Sequence, residues 1–269
     1  MNFKTFYGLS CNPFDKQSLN VKDTYESRDQ KAMMNRLSYL KDVRGIGVFT
    51  AAPGMGKSYC LRCFEDSLNE NLYDMHYICL STVSVGEFYK LLCEELGLET
   101  KGGKTIMFKA IQDRIAYLYK EKKQPLILAI DEAQYLGNPI LKDLKMLMNF
   151  SYDSVNCFTL ILCGESHLNG ILRTQPHEAL RQRITVHYNY QGLSDNEAVE
   201  YITHKLACAG SSKAIIDDAA INAVVGQTHG NPRLIDNIMS DALVIGSQQD
   251  KKTIDVDVIL AAANNQNLG

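Results

Sequence analysis

Between residues 45 and 190 the chain alternates short apolar runs with segments of helical period. The runs Gly45–Thr50, Met75–Ser81, Leu126–Asp131, Cys157–Cys163 and Ile184–Tyr188 read as strands. Four of them are continuously apolar, as expected for strands covered on both faces of a parallel sheet. Helical segments fall between them at Lys57–Asn69, Val85–Leu96, Thr105–Lys120 and Ile140–Phe150. Ser84 and Glu87 make a capping box that opens the second of these. The alternation predicts an α/β domain with a parallel sheet and right-handed crossovers.

After Tyr190 the strand signal stops. Ser194 and Glu197 form a second capping box, opening a helix that ends on Gly210. The segments "DDAAINAVVGQTHG" and "PRLIDNIMSDALVIGS" read as two further helices closed by glycine, with a last short helix at Asp255–Ala263. The expected organisation is an N-terminal segment (1–44), an α/β core (45–190) and a helical domain (191–269). No internal repeat or low-complexity tract interrupts it.

Composition adds limits. Hydrophobic residues make up 45% and charged residues 22% of the chain, ordinary for a globular protein. No apolar run approaches the roughly 18–20 residues of a membrane span, and the N-terminus is too polar for a signal peptide. The eight cysteines lack disulfide spacing and mostly sit in apolar runs, which predicts core residues in a reducing, cytoplasmic compartment. Cys60-x-x-Cys63 is half of a metal pattern, but no second pair follows. Net charge is −3, with the excess of acid after Tyr190, so any polyanion-binding face belongs to the N-terminal part.

The chemistry concentrates after the first strand, in "TAAPGMGKSYC". A strand, a glycine-rich turn and Lys-Ser opening a helix is the context of a phosphate-binding loop. Backbone N–H groups at the helix start, with its dipole, suit phosphate oxygens. The candidate cradle runs through Pro53, Gly54, Met55, Gly56, Lys57, Ser58 and Tyr59. Lys57 is placed to reach the β and γ phosphates and Ser58 to ligate Mg²⁺. The pattern asks for glycine where Ala51 stands; a positive φ there would cost about 1 kcal/mol. Roughly 75 residues further on, "LILAIDEAQYL" ends a strand in two carboxylates. Asp131 is the candidate Mg²⁺ holder and Glu132 the group that orients and deprotonates the attacking water. The site is expected to bind and hydrolyse ATP.

A glutamate beside the magnesium aspartate, with a helical domain after the fifth strand, resembles the AAA+ ATPases. The stretch "GNPRLIDNI" is similar to the sensor-2 motif, which implies that Arg233 reaches the γ-phosphate; a surface arginine is a poor electrostatic choice at a helix start. The stretch "EALRQRITVHY" is similar to the arginine-finger region, implying that Arg183 or Arg181 enters a neighbouring subunit's site. Glu165 and Ser166 stand nearest the sensor-1 position. The segments "FYGLSCNPFDK", "DEAQYL", "LILCGESHL", "LRQRI" and "GNPRLI" resemble the ExeA-type group, which joins a secretion ATPase to transposition helpers akin to Mu B, IstB-like and TnsC-like proteins. That resemblance implies Pro13, Phe14 and Tyr25 as base-packing candidates; the same residues also read as core anchors.

The resemblance further implies a homo-oligomer, a ring or helical filament, that assembles on double-stranded DNA and regulates a transposase. Alternatives are a helicase loader and a secretion-pathway ATPase. The secretion relative implies a membrane span and a periplasmic portion; neither falls within these 269 residues, so no membrane partner is expected. Lys101, Lys104 and Lys109 surround a Gly102-Gly103 turn and are the candidate DNA contacts, weakly selective for sequence.

Overall fold

In the computed structural model residues 2–15, 24–79, 83–211 and 215–266 are described. Along the chain the strands are β1 (Ile46–Thr50), β2 (Asp74–Cys79), β3 (Leu126–Asp131), β4 (Thr159–Gly164) and β5 (Ile184–Asn189). The helices are α1 (Phe3–Tyr7), α2 (Arg28–Val43), α3 (Lys57–Ser67), α4 (Val85–Glu95), α5 (Lys104–Tyr117), α6 (Asn138–Leu147), α7 (Leu168–Arg173), α8 (Glu178–Arg181), α9 (Asp195–Cys208), α10 (Asp218–Thr228), α11 (Pro232–Gln248) and α12 (Val256–Gln266).

The elements fall into two compact units. The first comprises residues 32–53 and 57–190. Its five strands are all parallel, in the order β2-β3-β4-β1-β5. Every residue of β1, β3 and β4 is buried, which is why those strands read as unbroken apolar runs. Strands β2 and β5 lie at the edges, and each has a single buried position. The last two residues of the strand expected at Met75–Ser81 lie outside the described residues. Phe88, Leu92, Ile111, Leu141 and Leu144 from α4, α5 and α6 pack on Leu128, Ile130, Leu160 and Leu162. At about 25 cal/mol per Å² of apolar area, this burial dominates the unit's cohesion. The capping box Ser84–Glu87 forms as expected. Helix α5 carries on as a wider π turn over Leu118–Lys122 and stops at Lys123, φ 57°.

The second unit holds residues 1–31, the three loop residues 54–56 and residues 191–269. Leu9 and Phe14 join Ile202, Val224, Ile235, Leu243 and Ile259 in its core. The Ser194–Glu197 capping box opens α9. The endings differ from expectation in two places. Helix α10 closes on His229, itself left-handed at φ 47°, one residue before Gly230. Helix α11 runs through Gly246 to Gln248, because Gly246 lies against the Tyr7 hydroxyl and serves packing instead of termination.

Candidate nucleotide site

The C-terminal ends of β1 and β3 hold the chemistry, the edge of a parallel sheet where helix starts and loops gather. Thr50 ends β1, the loop follows, and Lys57 begins α3. Gly54 and Gly56 take φ 81° and 104°, values that glycine adopts without a Cβ penalty. Ala51 does not enter the positive-φ region, so the substitution that breaks the motif carries no strain.

Lys57 is buried, 8% exposed. Its ammonium donates to the carbonyls of Ala51 at 3.1 Å and Ala52 at 3.4 Å. Both acceptors are neutral, and no ion pair with Lys57 occurs among the described residues. A buried cation held only by dipoles suits an incoming anion. Ser58 donates its hydroxyl to Asp131 Oδ2 at 2.5 Å. Asp131 is 2% exposed; its Oδ1 accepts the Glu132 N–H at 2.9 Å. This all-oxygen pair fits a hard divalent cation such as Mg²⁺. Glu132 is half-buried with φ 54°, an uncommon left-handed conformation for a side chain of its size.

Three participants were not singled out from sequence. Tyr77 on β2 donates its hydroxyl to Asp131 Oδ2 at 2.7 Å; burial, then this hydrogen bond, push its ionisation well above the usual phenol range. Gln134 donates to Glu132 Oε2 at 2.6 Å. Asn169 donates to Thr50 Oγ1 at 3.0 Å and Asn189 Oδ1 at 2.9 Å, tying the ends of β1 and β5 to α7. Of the two residues expected nearest a sensor-1 position, Glu165 has a carboxylate oxygen 3.5 Å from His167 Nδ1, and Ser166 is exposed.

The remaining candidates are spread over both units. In the sheet unit Arg183 pairs with Asp153 and donates to the Lys145 carbonyl at 3.1 Å. Arg181 is exposed and donates to the Arg173 carbonyl at 2.9 Å. Lys104 forms an ion pair with Asp143 at 2.6 Å, while Lys101 and Lys109 are exposed. In the helical unit Arg233 is an exposed residue in the first turn of α11. Its N–H donates to Asn231 Oδ1 at 3.1 Å and to the Gly54 carbonyl at 3.3 Å. Pro13 and Phe14 are buried, Phe14 within that unit's core, with the Lys205 ammonium 5.6 Å from the Phe14 ring centre. Tyr25 donates to Glu200 at 2.6 Å. Pro53 and Tyr59 are exposed and Met55 is half-buried. Five cysteines are buried, whereas Cys79 and Cys208 are exposed. Burial pushes the Cys60 thiol up to about 12, with Cys63 beside it adding to the shift.

Residues 40–172 match a family model described as an AAA domain. The match falls largely on the sheet unit, whose five parallel strands with flanking helices make the expected P-loop AAA+ fold. The chain is 29% identical over 264 residues to General secretion pathway protein A of Aeromonas hydrophila, a match that covers 97% of this chain and 48% of that protein. The chain therefore spans about half the length of this curated relative. Cdc6p from Pyrobaculum aerophilum superposes with a TM-score of 0.72 at 15% identity, covering 96% of this chain and 71% of that one. The Aeropyrum pernix ORC1 protein, solved in complex with DNA, gives 0.68 at 13% identity, covering 94% and 68%. At these identities the structural likeness establishes the fold alone. Among the described residues no helix is long and apolar enough to cross a membrane.

Proposed function

We propose that the protein binds ATP with Mg²⁺, hydrolyses it, and uses the nucleotide state to control assembly with copies of itself. One observation carries this reading: the Ser58 hydroxyl that opens α3 meets the Asp131 carboxylate at the end of β3 at 2.5 Å, with buried Lys57 and half-buried Glu132 next to them in sequence. Lys57 and the N–H groups from Pro53 to Tyr59 hold the phosphates. Ser58 and Asp131 would hold Mg²⁺, which neutralises phosphate charge when bound. Glu132 takes the proton from the attacking water. Arg233 serves the γ-phosphate from the helical domain, and Arg181 or Arg183 serves a neighbouring copy's site as the finger. Release of Arg183 from Asp153 would have to precede that role. Arg181 has no such ion pair to break among the described residues.

The sequence motifs support double-stranded DNA as the surface for assembly, with Lys101, Lys104 and Lys109 as phosphate contacts and a transposase as the client. A structural neighbour solved in complex with DNA supports the first part of this reading. A secretion-pathway role is the second reading, favoured by the 29% identity to General secretion pathway protein A across 97% of the chain. Glu132→Gln is the decisive variant. It should bind ATP as the wild type does, lose turnover by 10²-fold or more, and stay assembled with ATP. Sizing it with and without duplex DNA separates the two readings: assembly that ignores DNA removes the DNA-based one. No affinity for Mg-ATP in the wild type removes both.

A further inference from the structure

The amide of Gln134 is used at both ends. Gln134 sits in the single turn that follows β3 and is 5% exposed. Its Nε2 donates to Glu132 Oε2 at 2.6 Å, and its Oε1 accepts the Glu165 N–H at 3.0 Å. The two contacts fix the amide's orientation, since a flipped amide would set N–H against N–H. Strand β4 is shaped to admit it: a Cβ built on Gly164 would collide with Gln134 Oε1. The backbone at the end of β4 is thereby linked, through one buried side chain, to a single oxygen of Glu132. The other oxygen, Oε1, has no hydrogen-bond partner among the described residues.

We propose that Gln134 is a positioning residue for hydrolysis: it holds Glu132 in one rotamer with Oε1 presented to water, and Gly164 exists to let it do so. The inference rests on Glu132 being the group that activates water. A glutamate left to rotate spends most of its time aimed elsewhere, and orientation fixed in advance is repaid in rate rather than in affinity. Glutamate cannot replace Gln134, because two carboxylates would then face each other at hydrogen-bond distance.

The test measures single-turnover ATP hydrolysis, Mg-ATP affinity with a fluorescent analogue, and thermal melting. Gln134→Leu keeps the size of the side chain and removes its polar ends; Gly164→Ala displaces an unaltered Gln134. Each should lower the hydrolysis rate about tenfold while affinity stays within about twofold. In a Glu132→Asp background, whose shorter carboxylate no longer reaches the amide, Gln134→Leu should have no further effect. An unchanged rate overturns the inference, and so does a fall in affinity equal to the fall in rate, or the same loss in both backgrounds. If Gln134→Leu does not fold, Gly164→Ala decides alone by the same criteria. A wild-type protein without hydrolysis overturns the ATPase reading itself, an outcome distinct from all of these.

Discussion

Lys57→Met separates a ligand-binding lysine from a structural one. In the wild type the ammonium is 8% exposed and held by two carbonyls. Methionine fills the volume of the stem and removes a buried charge, a change that is often neutral or stabilising. The two lost hydrogen bonds oppose this by about 1 kcal/mol each. The nucleotide-free midpoint should therefore move by only a few degrees. Nucleotide binding should respond very differently. At 100 times the dissociation constant, Mg-ATP stabilises the wild type by about 2.7 kcal/mol, a rise of about 5–10 °C for a unit of this size. Charge-assisted contacts to phosphate contribute about 3 kcal/mol, so losing them raises the dissociation constant about 150-fold. At the same ATP concentration the stabilisation falls to about 0.3 kcal/mol, a shift of about 1 °C. Thermal melting with and without Mg-ATP reads both quantities. A variant whose ligand-induced shift survives, or whose nucleotide-free midpoint drops by more than about 10 °C, refutes the assignment.

Two further outcomes follow from charge. His177 is 1% exposed, bonded through Nε2 to Asn138 Oδ1 at 2.8 Å, and burial, aided by Lys142, pulls its pKa below the ordinary 6.5. The unfolded chain then binds this proton more readily than the folded one, so stability is full above pH 6.5 and declines as the pH falls below it; in denaturant melts at pH 7.5 and 5.5, His177→Gln should flatten the difference, and an equal slope in both proteins would discount His177. For DNA, Lys101→Ala with Lys109→Ala should reduce the slope of log affinity against log salt by about 1.8; an unchanged slope in gel shifts with ATP would clear that loop of phosphate contact.

What could be read from sequence depended on how local its cause is. The central strands were legible because burial on both faces demands an apolar residue at every position. The loop, Asp131 and Glu132 stand out as candidates because each motif is written in consecutive residues. Helix α2 was missed: Met33, Leu37 and Leu40 do recur at helical spacing and are fully buried, but they are diluted by charges that face outward. Gln134 and Tyr77 were missed for a different reason. Gln134 acts on a backbone group 31 positions away, and Tyr77 on a carboxylate 54 positions away, across strands whose adjacency only the sheet order supplies. The endings of α10 and α11 show the same limit. Glycine signals a possible stop, and tertiary packing decides whether it is used.

Glu132 bends the chain in a way that favours a residue without a side chain. A left-handed backbone at such a position costs of order 1–2 kcal/mol, and glycine would recover most of it. Under the proposed role of Glu132, thermal robustness and turnover pull this one site in opposite directions. The fold then gives up some sturdiness at the residue assigned to the attacking water.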